Sequence, residues 1–198
     1  MAPRGLWDRT ASAEARTSEC RRVLVSATAE SVFELGRTVT VSDIVERAGV
    51  GRNTFYVHFD DLRAAFAAAE AEALTNISNA VAPSPSARTP LARFRHFASG
   101  WLSIAATETE LVSLVIRGDG TLRGSHIELR KMIENALRGI ASSARRAGVL
   151  GRPVDSNRLS ALASAYVAFA ERVIEEKGRI DRDRLVEELV DISLRALR

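Results

Sequence analysis

The chain has 198 residues, 46% of them hydrophobic and 27% charged, a composition that excludes wholesale disorder and collagen-like repeats and fits one or two globular domains. Its 28 basic and 25 acidic side chains leave a net charge of +3, but residues 1–63 carry nine Arg and nine acids, so the excess lies in residues 64–198. No single-sign block of the kind found in basic tails occurs, and a nucleic-acid partner would have to be met by a local footprint. Cys20 is the only cysteine, which excludes an intrachain disulfide, and its place in a helical pattern makes a buried, inert thiol the expectation. The first ten residues lack the apolar core of a signal peptide. Charge interrupts every apolar stretch before the ~18 residues of a membrane span. A cytoplasmic protein with no membrane partner is expected.

Residues 1–16 are rich in Arg, Ala and Ser without a clear apolar face and read as a flexible arm, in which Trp7 has no evident role. From Thr17 a helical period begins, with Cys20, Val23, Leu24, Ala27, Phe33 and Leu35, and Gly36 stands where a C-cap belongs. Thr40 is a suitable N-cap for a short helix through Val41, Ile44, Val45 and Ala48, with Asp43 in the capping-box position and Gly49 at its end. A second short helix follows from Arg52 to Phe59 after only three residues. Asp60 and Asp61 then open a longer helix through Leu62, Phe66, Ala69, Ala73, Leu74 and Ile77. Pro83, Pro85 and Pro90 break the pattern. Beyond them the spacing predicts helices over about 91–106, 109–117, 122–147, 155–177 and 181–197, punctuated by Gly118-Asp119-Gly120, Gly148 to Pro153, and Gly178. No β-alternation and no internal repeat is evident, so the class is all-α. The expected organisation is an arm over 1–16, a domain over 17–81, a Pro-rich linker over 82–90 and a helical domain over 91–198.

Residues 40–59, TVSDIVERAGVGRNTFYVHF, place two short helices around a tight Gly-containing turn, the spacing of a helix-turn-helix. Phe55 and Phe59, four apart, can face a core while Arg52, Asn53, Tyr56 and Val57 lie on the other sides. A helix N-terminus with free N–H groups also suits a phosphate. On spacing alone an ordinary helical hairpin reads equally well.

The same run resembles the N-terminal domain of the TetR family of transcriptional regulators. Thr40, Asp43-Ile44-Val45, Ala48-Gly49-Val50, Thr54-Phe55-Tyr56 and His58-Phe59 carry the resemblance, which covers about residues 18–66. It implies a three-helix DNA-binding domain in which Arg52, Asn53, Tyr56 and Val57 approach bases or phosphates, Thr40, Thr54 and His58 hold phosphates, and Phe55 and Phe59 are core. Three positions depart from the family pattern. Gly51 stands where Ser opens the reading helix, Asn53 where a small residue is usual, and Leu62 where a phosphate-anchoring Lys is common, with Arg63 as the candidate replacement. The resemblance further implies a C-terminal helical bundle that binds a small effector and dimerises through helices over 155–177 and 181–197. On those helices Leu159, Leu162, Tyr166, Phe169, Val173 and Ile174, with Leu185, Leu189, Val190, Ile192 and Leu197, suggest more apolar surface than one partner needs.

His96 lies among Phe94, Phe97 and Trp101, so His96, Phe97, Trp101 and Tyr166 are candidate pocket residues, against the plainer reading of a core stripe. Arg117 and His126 are weaker candidates. His58, His96 and His126 lack metal-ligand spacing, no phosphate loop or nucleophile elbow occurs, and neither metal nor cofactor is expected. The expected function is a ligand-responsive regulator, a repressor that leaves a palindromic operator when its effector binds. The alternative is a helical adaptor for another protein, and an enzyme is not expected because no cluster of titratable groups is evident.

Overall fold

The structure, a computed structural model, describes residues 12–117, 124–151, 153–176 and 179–197. Ser12 opens the first helix: its hydroxyl accepts the Ala15 N–H at 3.1 Å and its carbonyl the Arg16 N–H at 3.0 Å. Helix α1 then runs Ala13–Leu35. Residues 13–16 are thus helical, where a flexible arm was expected. Ala13 and Ala15 are strong helix formers, and these turns face solvent and need no apolar stripe. The earlier part of the arm, with Arg4, Trp7 and Arg9, lies outside the described residues.

Gly36 ends α1 at φ 62°, its N–H returning to the Val32 carbonyl. After a single 3-10 turn, α2 spans Val41–Ala48 behind a complete capping box. The Asp43 N–H donates to the Thr40 hydroxyl at 3.4 Å, and the Thr40 N–H donates to the Asp43 carboxylate at 2.7 Å. Hydrogen bonds from the Thr40 hydroxyl and N–H hold Asp43 below the usual carboxylate range. Gly49, at φ 68° and ψ 31°, is the left-handed residue that turns the chain into α3, Arg52–His58. Asp61 caps α4, Leu62–Ala80, by accepting the Ala64 N–H at 2.7 Å.

Thr89 caps α5, Pro90–Thr107. Pro90 therefore opens this helix rather than closing the linker, since a first-turn residue needs no N–H. Next come α6, Thr109–Arg117, α7, Gly124–Arg146, α8, Ser156–Glu176, and α9, Arg182–Leu197. No strand occurs among the described residues. Gly118-Asp119-Gly120 and Gly178 lie outside them.

Two apolar cores result. The first gathers Leu24, Ile44, Phe55, Phe59 and Phe66 from α1 to α4, and takes Leu114 from α6. The second is built by α4 to α9 around Trp101 and Tyr166, both fully buried. The Trp101 indole N–H donates to the Tyr166 carbonyl at 2.7 Å, and the Tyr166 hydroxyl meets Ser193 at 3.1 Å. Helix α4 serves both cores, with Ala65, Phe66 and Ala69 in the first and Ala73 and Ile77 in the second.

The apolar residues of α8 and α9 that suggested a dimer face are mostly interior. Leu159, Leu162, Tyr166, Val173, Ile174, Leu185, Leu189, Val190 and Leu197 are buried within the chain, whereas Phe169 is half-buried and Ile192 is exposed. Both helices pack on α5 as well as on each other, so the broad apolar stripes are used inside one subunit.

Two helical glycines have measurable consequences. A Cβ on Gly100 would lie 2.2 Å from the Ala80 carbonyl oxygen, so α5 passes the end of α4 at backbone distance. A Cβ on Gly139, in α7, would meet nothing within 4 Å. Gly100→Ala is expected to destabilise by about 1–3 kcal/mol, and Gly139→Ala to be neutral or stabilising, in urea unfolding followed by circular dichroism.

Glu70 of α4 is buried, and its Oε1 has no hydrogen-bond partner. Burial pushes its carboxyl up, the Ser125 hydrogen bond opposes this, and Glu128 adds repulsion. A raised folded value makes the neutral acid the form the fold favours, a stabilisation complete in acid and lost as pH rises through that value. Glu70→Gln is therefore expected to raise the Tm at pH 7, with the gain shrinking toward zero near about pH 4. Equal gains at both pH values would contradict the assignment.

Candidate nucleic-acid interface and cavity

The short helix α3 is held by its two phenylalanines. Phe55 is fully buried and Phe59 nearly so, with ring centroids 5.5 Å apart. The Tyr56 ring stands edge-on to Phe55 at 5.4 Å, so its position is set from below although the residue is 50% exposed. Arg52, Asn53 and Val57 are exposed, Val57 at 77%, while Thr54 and His58 are half-buried. The helix thus presents Arg52, Asn53, Tyr56 and Val57 outward on a rigid base. Thr40, also exposed, sits across the turn at the start of α2. Gly51 supplies no side-chain cap to α3. Leu62 packs against the first core, and the neighbouring Arg63 is exposed in the first turn of α4.

One cation near this surface could not be found from local spacing. Arg21 of α1 lies over the Phe59 ring, 4.8 Å from its centroid. It also acts on His58, whose ring is pushed down first by burial and then by the Arg21 charge. The two are brought together by the α1 packing, not by sequence proximity.

The acids of this region are largely engaged within the chain. Glu19 pairs with Arg22 at 2.6 Å, and Glu30 and Glu34 both bind Arg47. Asp43 and Asp61 are occupied as helix caps. Arg47 accordingly ties α2 to α1. A segment neutral in its charge count therefore still leaves Arg21 and Arg52 exposed without an acid among the ion pairs described.

In the second core, a cavity of about 720 Å³ opens between the end of α4, the segment 81–87, α5 and α7. His96 and Phe97 line it, as do Arg93, Met132, Asn135 and Ile140. Trp101 and Tyr166 do not, contrary to expectation. Both are buried in the packing of α5 on α8 and α9, where the Phe97 ring meets the Tyr166 ring at 5.2 Å. Helical spacing shows that such residues face inward but not whether a neighbour fills the space. Arg117 and His126 are likewise elsewhere: Arg117 covers Phe33 at 5.4 Å and His126 meets the Ile116 carbonyl at 3.1 Å. Spacing gave no hint that segment 81–87 would form a wall. The His96 ring nitrogen reaches the Ala82 carbonyl at 2.9 Å and the Arg93 Nε–H donates to the Ala87 carbonyl at 3.0 Å.

Among the described residues no group of three or more His, Cys, Asp or Glu could hold a metal, and no helix is long and apolar enough to cross a membrane.

Residues 24–69 match the family described as bacterial regulatory proteins, tetR family, and no curated protein matches the chain. Among solved structures, the fold is similar to that of a TetR-like transcriptional regulator from Rhodococcus sp. RHA1, with a TM-score of 0.76, 18% identity, and 91% of this chain and 96% of that one covered. FadR from Bacillus subtilis, solved in complex with stearoyl-CoA, gives a TM-score of 0.67 at 16% identity over 89% of this chain and 99% of that one. AibR, solved in complex with isovaleryl coenzyme A and operator DNA, gives 0.63 at 15% identity over 86% and 96%. Over residues 24–69, the helix-turn-helix segment, the chain is thus similar to the TetR family of regulatory proteins, and the solved structures show that the fold is shared over most of its length.

Proposed function

We propose that the protein is a dimeric transcriptional repressor that reads operator DNA with α3 and leaves it when a small molecule occupies the cavity between α4, α5 and α7. The observation that carries the reading is the division of α3, with Phe55 and Phe59 locked in the core and Arg52, Asn53, Tyr56 and Val57 turned outward. A helix set on a rigid apolar base and carrying Arg, Asn and Tyr outward has the chemistry of major-groove readout, since Arg suits guanine edges and Asn adenine edges. Thr40, Thr54 and His58, with Arg21 and Arg63, are suited to phosphates, which position the reader without specifying sequence.

In this reading the chain from α1 to the end of α4 forms the DNA-binding head, residues 82–89 a connection, and the helices from α5 onward the effector-binding and dimerising part, with α4 shared between them. The dimer would form along α8 and α9, on surface bearing Phe169 and Ile192, and half-sites would recur at ~34 Å or a multiple of it. An effector would act by shifting the population between head spacings that fit the operator and those that do not. The two relatives solved with acyl-CoA ligands support a small-molecule effector of this kind.

Gel-shift titration against the DNA flanking the coding region tests the reading. Arg52→Ala and Tyr56→Ala are each expected to weaken operator binding about tenfold or more, with the dimer unchanged in sedimentation. Log affinity should fall linearly with log salt. Wild-type binding by both variants would remove α3 as the reader.

A further inference from the structure

The cavity has a pronounced polarity of charge that narrows what it can hold. Its volume, about 720 Å³, falls in the ~300–1,000 Å³ range of small-molecule sites. Val81, Pro83, Phe97, Met132, Ala136 and Ile140 make most of its wall apolar. Among the described residues the ionisable side chains on it are Arg93 and His96, and no carboxylate lines it. Arg93 is half-buried and held from two sides, by the Ala87 carbonyl and the Ser143 hydroxyl. Those bonds engage two of the five N–H groups of a guanidinium, so a fixed cation with donors to spare stands at the edge of an apolar chamber. His96 stands one helical turn along from Arg93, on the same face of α5, and Asn135 faces the chamber from α7.

From this arrangement we infer that the cavity takes an anionic amphiphile, an aliphatic or aromatic carboxylate whose tail fills the apolar chamber and whose head group is read by Arg93, with His96 and Asn135 as further hydrogen-bonding partners. The inference rests on the reading of the C-terminal part as the effector-binding domain, and specifies its ligand class. A cationic amphiphile would bring its charge to Arg93 with no acid on the wall to offset it. A neutral one would leave the guanidinium partly desolvated without the charge-assisted bond that repays it. The same two α5 side chains fasten segment 82–87, the direct continuation of α4, so the head group would bind where the chain leaves the helix that carries the DNA-binding head.

Isothermal titration calorimetry of the full chain with decanoate, decanol and decylamine, kept below their aggregation limits, separates these cases because the three share one tail. Decanoate is expected to bind about tenfold or more tightly than decanol, with decylamine weakest. Arg93→Met should remove the advantage of decanoate while leaving decanol within about twofold. Gly139→Phe, placed where an added Cβ meets nothing within 4 Å and on the cavity wall, should abolish binding of both. Decanol matching decanoate, or decanoate keeping its advantage in Arg93→Met, would overturn the inference, as would decanoate binding that survives Gly139→Phe. The head-group ranking on the wild-type chain holds as a test whether or not Arg93→Met folds. If decylamine or decanol binds best and Gly139→Phe blocks it, the ligand class is wrong and the effector cavity stands. If none of the three binds, the inference fails, and the gel-shift titration judges the regulator reading separately.

Discussion

Helix α4 has to satisfy two cores at once, and most of the architecture follows from how it does so. Its first half lays Ala65, Phe66 and Ala69 against α1 to α3, and its second half lays Ala73 and Ile77 against the helices that follow. Three alanines, Ala65, Ala69 and Ala73, make up half of its buried side and let neighbouring helices approach closely. At its end the approach reaches backbone distance, where Gly100 of α5 faces the Ala80 carbonyl. A displacement of α4 in one core cannot be absorbed locally, because close-packed interiors switch between arrangements rather than deform smoothly. Helix α6 strengthens this linkage by contributing Leu114 to the first core and Val112, Val115 and Ile116 to the second.

The outward face of α3 depends on the same construction. A seven-residue helix has little stability of its own, since nucleation is costly and short helices are marginal in water. Its geometry is therefore imposed by Phe55 and Phe59 below, by Gly49 in the turn and by α2, which its capping box starts and Arg47 holds against α1. The acids that balance the arginines in the charge count mostly serve these internal tasks. Charge counted along the chain and charge presented on the surface are different quantities, and recognition responds to the second.

Much of the head is legible in the amino-acid sequence, because its determinants are local. Thr40 with Asp43, Gly49 in the left-handed region, Asp61 and Gly36 each act within one helical turn, and residue identity is nearly sufficient to assign them. The helix boundaries of the C-terminal part followed for the same reason, apart from Pro90, whose place in the first turn depends on the Thr89 cap. The early start of α1 is not legible there, because its solvated first turn carries no periodic apolar signal. The apolar stripes of α8 and α9 are legible, but their partners are not. Leu159, Leu189 and Leu197 are covered by helices of the same chain, and periodicity identifies an inward face without naming what lies against it.

The cavity shows the other side of this division. His96 and Phe97 stand out as a polar group among aromatics, yet Trp101, five and four residues further along the same helix, is hydrogen-bonded to the Tyr166 carbonyl and takes no part in the wall. Arg93, Asn135 and segment 81–87 reach the site from places far apart in the chain, and Arg21 reaches Phe59 and His58 in the same way. Short-range chemistry such as caps, glycine turns and helical periods is encoded in neighbouring residues, so the all-α class, the helix order and the helix-turn-helix were legible in the amino-acid sequence. Which apolar faces meet, which cations emerge together and where a void remains depend on contacts between distant segments, and those exist only once the helices have packed.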